Sequence, residues 1–130
     1  NDREISLKLL IVDDSEMLRM RLSEAFSDIP GVEVIGEAES KKEAVELIQK
    51  VKPDVVILDI RLRVGHGIDV IHEIKKDENP PVIIMFTGYP YPHFKKRCED
   101  EGADYFFNKD ADFDELLGLV TELAKQKSGK

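Results

Sequence analysis

The sequence predicts an α/β sandwich with a central five-stranded parallel sheet and helices wound on both faces. Three observations carry that prediction. Short, almost wholly apolar runs recur, such as Leu7-Lys8-Leu9-Leu10-Ile11-Val12 and Val55-Val56-Ile57-Leu58, and strands buried on both faces read this way. Between the runs, apolar residues recur every three or four positions, which is the helical period. Pro, Gly, Asn and Asp punctuate the junctions, so that strand and helix alternate five times along 130 residues.

The elements follow in order. Residues 7–13 form the first strand. The first helix spans residues 15–27 and places Leu18, Leu22, Ala25 and Phe26 on one face. Pro30-Gly31 turns the chain into a second strand over 32–36. Ser40-Lys41-Lys42-Glu43 is a capping-box pattern that opens the second helix, whose apolar residues are Ala44, Leu47, Ile48 and Val51. Pro53-Asp54 stops it and starts the third strand. A loop over 61–67, with Gly65 and Gly67 as turn residues, leads to a third helix bearing Ile68, Ile71 and Ile74. Asn79-Pro80-Pro81 breaks the chain before a fourth strand over 82–86, which Thr87-Gly88 ends. Pro92 suits the first turn of a short fourth helix. Gly102-Ala103-Asp104 leads into a fifth strand over 105–107. Asp112 is expected to cap a fifth helix whose apolar face is Phe113, Leu116, Leu117, Val120 and Leu123, and residues 125–130 are expected to fray. Right-handed crossovers then fit a flavodoxin-like (βα)5 topology with strand order 2-1-3-4-5.

Composition narrows the function classes. One domain fills residues 1–130, with a core at about 6–125 and polar termini. The net charge of −8 argues against nonspecific nucleic-acid binding, which depends on neutralising phosphates. No apolar stretch approaches the roughly 18 residues of a membrane span, and no signal peptide is visible. The single cysteine, Cys98, excludes an internal disulfide and a cysteine-rich zinc site. It reads as a semi-buried helix residue in a protein of the reducing cytoplasm. His66, His72 and His93 are scattered and read as solvated or satisfied by neighbours.

The strand ends carry the chemistry. In strand order 2-1-3-4-5, the first and third strands are neighbours, and their carboxyl ends carry Asp13, Asp14 and Asp59. Thr87 ends the fourth strand, and Asn108-Lys109 follow the fifth. Three carboxylates on one sheet edge repel one another unless a cation sits among them, and hard oxygen ligands suit Mg2+. Lys109 adds a fixed positive charge, Thr87 a hydrogen-bond donor, and a carboxylate is a competent covalent acceptor. The set is suited to phosphoryl transfer onto an aspartate.

These motifs resemble those of the receiver domains of two-component response regulators, especially the chemotaxis single-domain type. The matching stretches are Ile11-Val12-Asp13-Asp14-Ser15 with Arg19, Val56-Ile57-Leu58-Asp59-Ile60, Gly67, Met85-Phe86-Thr87-Gly88, and Gly102-Ala103-Asp104-Tyr105-Phe106-Phe107-Asn108-Lys109. The resemblance implies that Asp59 accepts the phosphoryl group from a sensor histidine kinase or a histidine phosphotransfer protein. It implies that Asp14 binds Mg2+ directly and Asp13 through metal-bound water, with the backbone carbonyl of Arg61 as a further ligand. It makes Thr87 the switch hydroxyl, Lys109 the phosphate-pairing lysine and Phe106 the switch aromatic. The surface that changes is then the fourth helix, fifth strand and fifth helix. No further catalysis is implied beyond the domain's own phosphorylation and dephosphorylation.

Some positions depart from the family pattern. Asp110 stands where proline commonly follows the lysine, so the Lys109–Asp110 bond is expected to be trans, and Arg63 replaces another common proline. Arg61 and Tyr89 occupy positions that tune dephosphorylation in the family, and their bulk predicts a shielded, longer-lived acyl phosphate. The competing reading is an Mg2+-dependent small-molecule phosphatase or phosphotransferase with an Asp nucleophile. Such enzymes tend to need an acid–base carboxylate two residues after the nucleophile, where Arg61 stands, and a cap domain for which 130 residues leave no room. A flavin or nucleotide binder on the same fold is disfavoured by the acidic cluster. Within the receiver reading, a stand-alone domain and a piece of a longer regulator with a C-terminal output domain both fit.

Overall fold

A computed structural model describes residues 5–129. The elements run β1 (Leu7–Val12), α1 (Glu16–Ser27), β2 (Val32–Ala38), α2 (Lys41–Val51), β3 (Val55–Leu58), α3 (Gly67–Ile74), β4 (Val82–Thr87), α4 (Pro92–Glu101), β5 (Tyr105–Asn108) and α5 (Phe113–Ser128). The strands form one sheet in the order β2-β1-β3-β4-β5, every pairing parallel. The predicted class and strand order are those found. The register of β1 with β2 shifts between Leu9 and Leu10, because Leu9 pairs with Val34 and Leu10 with Gly36. Ile35 is the extra residue of a β-bulge.

Two apolar layers sandwich the sheet. On one face α2, α3 and α4 pack Ala44, Ile48, Ile68, Ile71, Ile74 and Cys98 against Leu10, Val12, Val56, Leu58, Ile83 and Met85. On the other, α1 and α5 pack Leu22, Phe26, Leu116, Val120 and Ala124 against Leu9, Ile11, Ile57, Ile84 and Phe86. Alternate residues of each central strand feed the two layers, which is why β1 and β3 are apolar at almost every position. Each fully buried aliphatic side chain contributes about 1.5–3 kcal/mol.

Local chemistry sets the element ends. Ser15 caps α1 by accepting from the Leu18 N–H. Ser40 caps α2 by accepting from the Glu43 N–H, as the capping-box pattern predicts, while the Glu43 carboxylate accepts from the Ser40 hydroxyl rather than from its backbone N–H. Pro92 is the first residue of α4, and Gly102 ends it at φ +113°, a conformation that favours glycine.

Four expectations need correction. β2 continues to Ala38, since the bulge absorbs the irregularity at Gly36. Asp112 stands at the α5 N-cap position without capping the helix. Its carboxylate instead accepts from the Asn108 N–H at 2.8 Å. The C-terminal segment is helical to Ser128. Lys127 anchors it through a 2.7 Å contact to Asp54, which also accepts the Lys8 N–H. Cys98 is completely buried rather than half-buried. No peptide bond among the described residues is cis, as expected for Lys109–Asp110. No described helix is long and apolar enough to cross a membrane.

Candidate functional site

The carboxyl ends of β1, β3, β4 and β5 surround one cleft of about 540 Å3, lined by Asp14, Asp59, Arg61, Leu62, Gly88, Tyr89 and Lys109. The β1–β3 pairing brings Asp13 and Asp14 beside Asp59, as the strand order predicts. Carboxylate oxygens of Asp13, Asp14 and Asp59 all lie within 4.8 Å of one another. Asp13 and Asp59 are buried, whereas Asp14 is exposed.

Lys109 makes this cluster tolerable. Its Nζ lies 2.7 Å from Asp13 Oδ2 and 2.7 Å from Asp59 Oδ2. The other oxygens of the two buried aspartates are engaged by backbone. The Ser15 N–H donates to Asp13 Oδ1 at 2.9 Å, and the Ile60 N–H to Asp59 Oδ1 at 2.7 Å. Burial pushes the Asp13 carboxyl above its usual range, with a smaller push from Asp59, against the hydrogen bonds from Lys109 and Ser15. Burial alone would depress Lys109, but its hydrogen bonds to Asp13 and Asp59 outweigh it and hold the ammonium above its usual range. The lysine is therefore fully charged at neutral pH.

Thr87 is fully buried at the end of β4. Its hydroxyl oxygen accepts the Tyr89 N–H at 3.1 Å, while its carbonyl accepts the Lys109 N–H at 2.9 Å. The β4 and β5 ends are thus tied together beside the cluster. Phe106 is half-buried against the core layer of α2–α4, and its neighbour Tyr105, on the opposite face of β5, is 40% exposed.

The structure adds three features that the residue types alone do not reveal. The Arg61 guanidinium lies 4.8 Å above the Tyr89 ring, so the two bulky side chains form one cover on the cleft. Gly67, a turn residue of the matched motif, is packed against the phosphoacceptor candidate. A Cβ there would lie 1.9 Å from the Asp59 carbonyl oxygen, and the Gly67 N–H donates to the Ile60 carbonyl at 2.6 Å. Arg19, present in the matched motif without an assigned role, bonds the Asp13 carbonyl. The histidines are not in the cleft lining.

A cluster of three carboxylates fits a hard divalent cation with oxygen ligands. The open cleft, with Arg61 two residues beyond Asp59, offers no second carboxylate at the position an Asp-nucleophile phosphatase needs.

Comparisons with known proteins agree with this geometry. Residues 9–121 match the family model described as the response regulator receiver domain. The protein-glutamate methylesterase/protein-glutamine glutaminase 2 of Photobacterium profundum is 39% identical over 134 residues, covering 95% of this chain and 34% of that protein. The sensory transduction protein LytT of Bacillus anthracis is 34% identical over 124 residues, covering 95% of this chain and 50% of LytT. The chain thus spans between a third and a half of the length of these relatives. Among solved structures, the response regulator domain of Thermotoga maritima CheB superposes with a TM-score of 0.82 at 27% identity, covering 96% of this chain and 98% of that one. A CheX–CheY–BeF3–Mg2+ complex from Borrelia burgdorferi contains a chain with a TM-score of 0.83 at 28% identity, covering 94% of this chain and 92% of that one.

Proposed function

Because the chain belongs to the response regulator receiver domains, which are phosphorylation-activated signalling modules, we propose that Asp59 is the residue that takes the phosphoryl group. The observation that carries this is the Lys109 ammonium held 2.7 Å from both Asp13 and Asp59 at the mouth of an oxygen-lined cleft. Asp13, Asp14 and Asp59 would hold Mg2+, joined by the backbone carbonyl of Arg61. When bound, that ion would neutralise the entering phosphoryl oxygens. The Borrelia burgdorferi complex with BeF3 and Mg2+ supports this cofactor by analogy.

In the transfer, an Asp59 carboxylate oxygen forms a bond to phosphorus as the P–N bond of a phosphohistidine breaks, and the leaving imidazole takes up a proton. Lys109 exchanges part of its pairing with the aspartates for the developing charge on the phosphoryl oxygens. The acyl phosphate carries roughly −1.5 to −2 charges, by analogy with phosphoserine, in place of the carboxylate's single charge, so the net gain at the site is about −0.5 to −1. Thr87 then turns its hydroxyl proton toward the phosphoryl group, drawing the β4–α4 loop inward. Phe106 follows into the space left behind, and the α4–β5–α5 face is remodelled.

Energy limits how this switch is built. Moving an equilibrium from 1:99 to 99:1 requires about 5.5 kcal/mol. One hydrogen bond from Thr87 to a charged group supplies about 1.5–3 kcal/mol. Lys109 and the cation supply the remainder, or the resting equilibrium is less one-sided.

The phosphodonor is a sensor histidine kinase or a histidine phosphotransfer protein. The output is a separate partner or a further domain of a longer regulator, as the partial coverage of the relatives allows. The cytoplasm is the compartment, in keeping with one unpaired cysteine. The test is intact-mass analysis after incubation with a small-molecule phosphodonor. A single Mg2+-dependent phosphoryl adduct is expected, lost in Asp59→Asn and under chelation. An undiminished adduct in Asp59→Asn refutes the assignment.

A further inference from the structure

We propose that Arg19 is a positioning residue for the cation site. Through the Asp13 carbonyl it holds the Asp13–Asp14 peptide where Asp14 can join the other two carboxylates. This rests on the reading of Asp13, Asp14 and Asp59 as cation ligands.

The β1 ladder ends just before these residues. The Asp13 N–H donates to the Ala38 carbonyl at 3.0 Å, and the Val12 carbonyl accepts the Asp59 N–H at 3.1 Å. The Asp13 carbonyl lies beyond the last strand pairing and before the first turn of α1. Arg19 Nη1, from the first turn of α1 and six residues along the chain, donates to it at 2.7 Å. A bond this short from a charged donor is among the stronger backbone contacts available.

Arg19 is itself fixed. Its Nε donates to Glu37 Oε1 at 2.9 Å, and its side chain is only 13% exposed. Glu37 belongs to β2, so one guanidinium ties together the end of β1, helix α1 and the neighbouring strand. Asp13 has further restraints, since Lys109 and the Ser15 N–H hold its carboxylate. Asp14 has none: among the described residues its carboxylate makes no hydrogen bond or ion pair. Its placement therefore depends on the peptide that Arg19 grips. Residues that orient metal ligands in this way typically change affinity about 10–100-fold when removed.

The experiment is an Mg2+ titration of the unphosphorylated full chain, followed by NMR at constant ionic strength, for wild type, Arg19→Met, Arg19→Lys and Glu37→Gln. Arg19→Met is expected to weaken Mg2+ binding about tenfold or more. Arg19→Lys keeps the charge but cannot span Asp13 and Glu37 with a planar fork, so it is expected to recover only part of the affinity. Glu37→Gln is expected to show a smaller loss. Thermal unfolding in chelator, run alongside, measures stability separately. A variant that is less stable but binds Mg2+ as wild type overturns the positioning role. If Arg19→Met fails to fold, wild-type affinity in both Arg19→Lys and Glu37→Gln does the same. Absence of Mg2+ binding in wild type would instead overturn the cation-site reading itself.

Discussion

Gly67→Ala places a methyl group where the Asp59 carbonyl oxygen already sits. The new Cβ would lie 1.9 Å from that oxygen, 2.9 Å from the carbonyl carbon and 3.2 Å from Ile60 Cα. A relaxed C···O contact needs about 3.3 Å, so roughly 1.4 Å of separation has to be created. The obstacle is backbone on both sides, and no flexible side chain can swing away. Overpacking of this kind costs about 1–3 kcal/mol. Disturbing the Gly67 N–H to Ile60 carbonyl bond adds about 0.5–1.5 kcal/mol. The helix preference of alanine over glycine returns up to about 1 kcal/mol. The expected net loss is about 2.5 kcal/mol at the middle of a range of about 0.5–4.5, read as a lower urea midpoint at unchanged slope. Because the peptide that must yield carries Asp59, phosphorylation should slow by about 10–100-fold as well, the scale expected of ångström-size misplacement. Gly118→Ala is the matched control. Gly118 is exposed in α5 and its Cβ would meet nothing within 4 Å, so this change should stabilise by about 0.5–1 kcal/mol. Wild-type stability in Gly67→Ala, or equal losses in both variants, would refute the close-approach argument.

Three further outcomes are expected. The Arg61–Tyr89 stack covers the cleft, so Arg61→Ala and Tyr89→Ala should each shorten the lifetime of the acyl phosphate, with the double variant little worse than either because they form one cover; decay rates measured after phosphodonor removal check this, and an unchanged lifetime in the double variant sinks it. Cys98 is completely buried, and burial pushes its thiol up to about 11, so a thiol reagent at neutral pH should label the protein only after unfolding. Above the usual thiol range the unfolded chain loses this proton while the folded chain keeps it, so Cys98 should make stability fall as pH rises from about 9 toward 11, at up to about 1.4 kcal/mol per pH unit; urea midpoints across that range should fall more steeply in wild type than in Cys98→Ala, which retains the contribution of Lys109.

The sheet order and the clustering of Asp13, Asp14, Asp59, Thr87 and Lys109 were readable from sequence because both follow from local pattern. Apolar runs with carboxylates at their ends mark central strands, and parallel topology sends those ends to one edge. The misread features depend on contacts that residue type and periodicity do not specify, whether near or distant in sequence. Residues 125–128 look like a polar tail, but Lys127 finds Asp54 across 73 positions. Asp112 has the composition of a helix cap, yet the Asn108 N–H is the donor it meets. Cys98 lies in a helix with charged neighbours, and only the packing of α4 on the sheet buries it fully. Gly67 and Arg19 match the family motif, and the structure adds what each touches: the backbone of Asp59 and of Asp13. A glycine in a loop signals freedom of backbone, whereas here the sheer nearness of the Asp59 peptide is what excludes a side chain.

The bulge at Ile35 reaches further than its own strand. Before it, Val32 and Val34 turn toward the layer of α1 and α5; after it, Ala38 packs in the layer of α2–α4, and Gly36 lies against Leu10 and Leu47. The inserted residue thus reverses the phase of the edge strand midway along its length. That reversal sends Glu37 to the α1 side, where it meets Arg19. An irregularity in the outermost strand is therefore a phase-setting device for the acidic end of β1, and any change in the length of β2 would be felt at a cleft to which that strand contributes no lining residue.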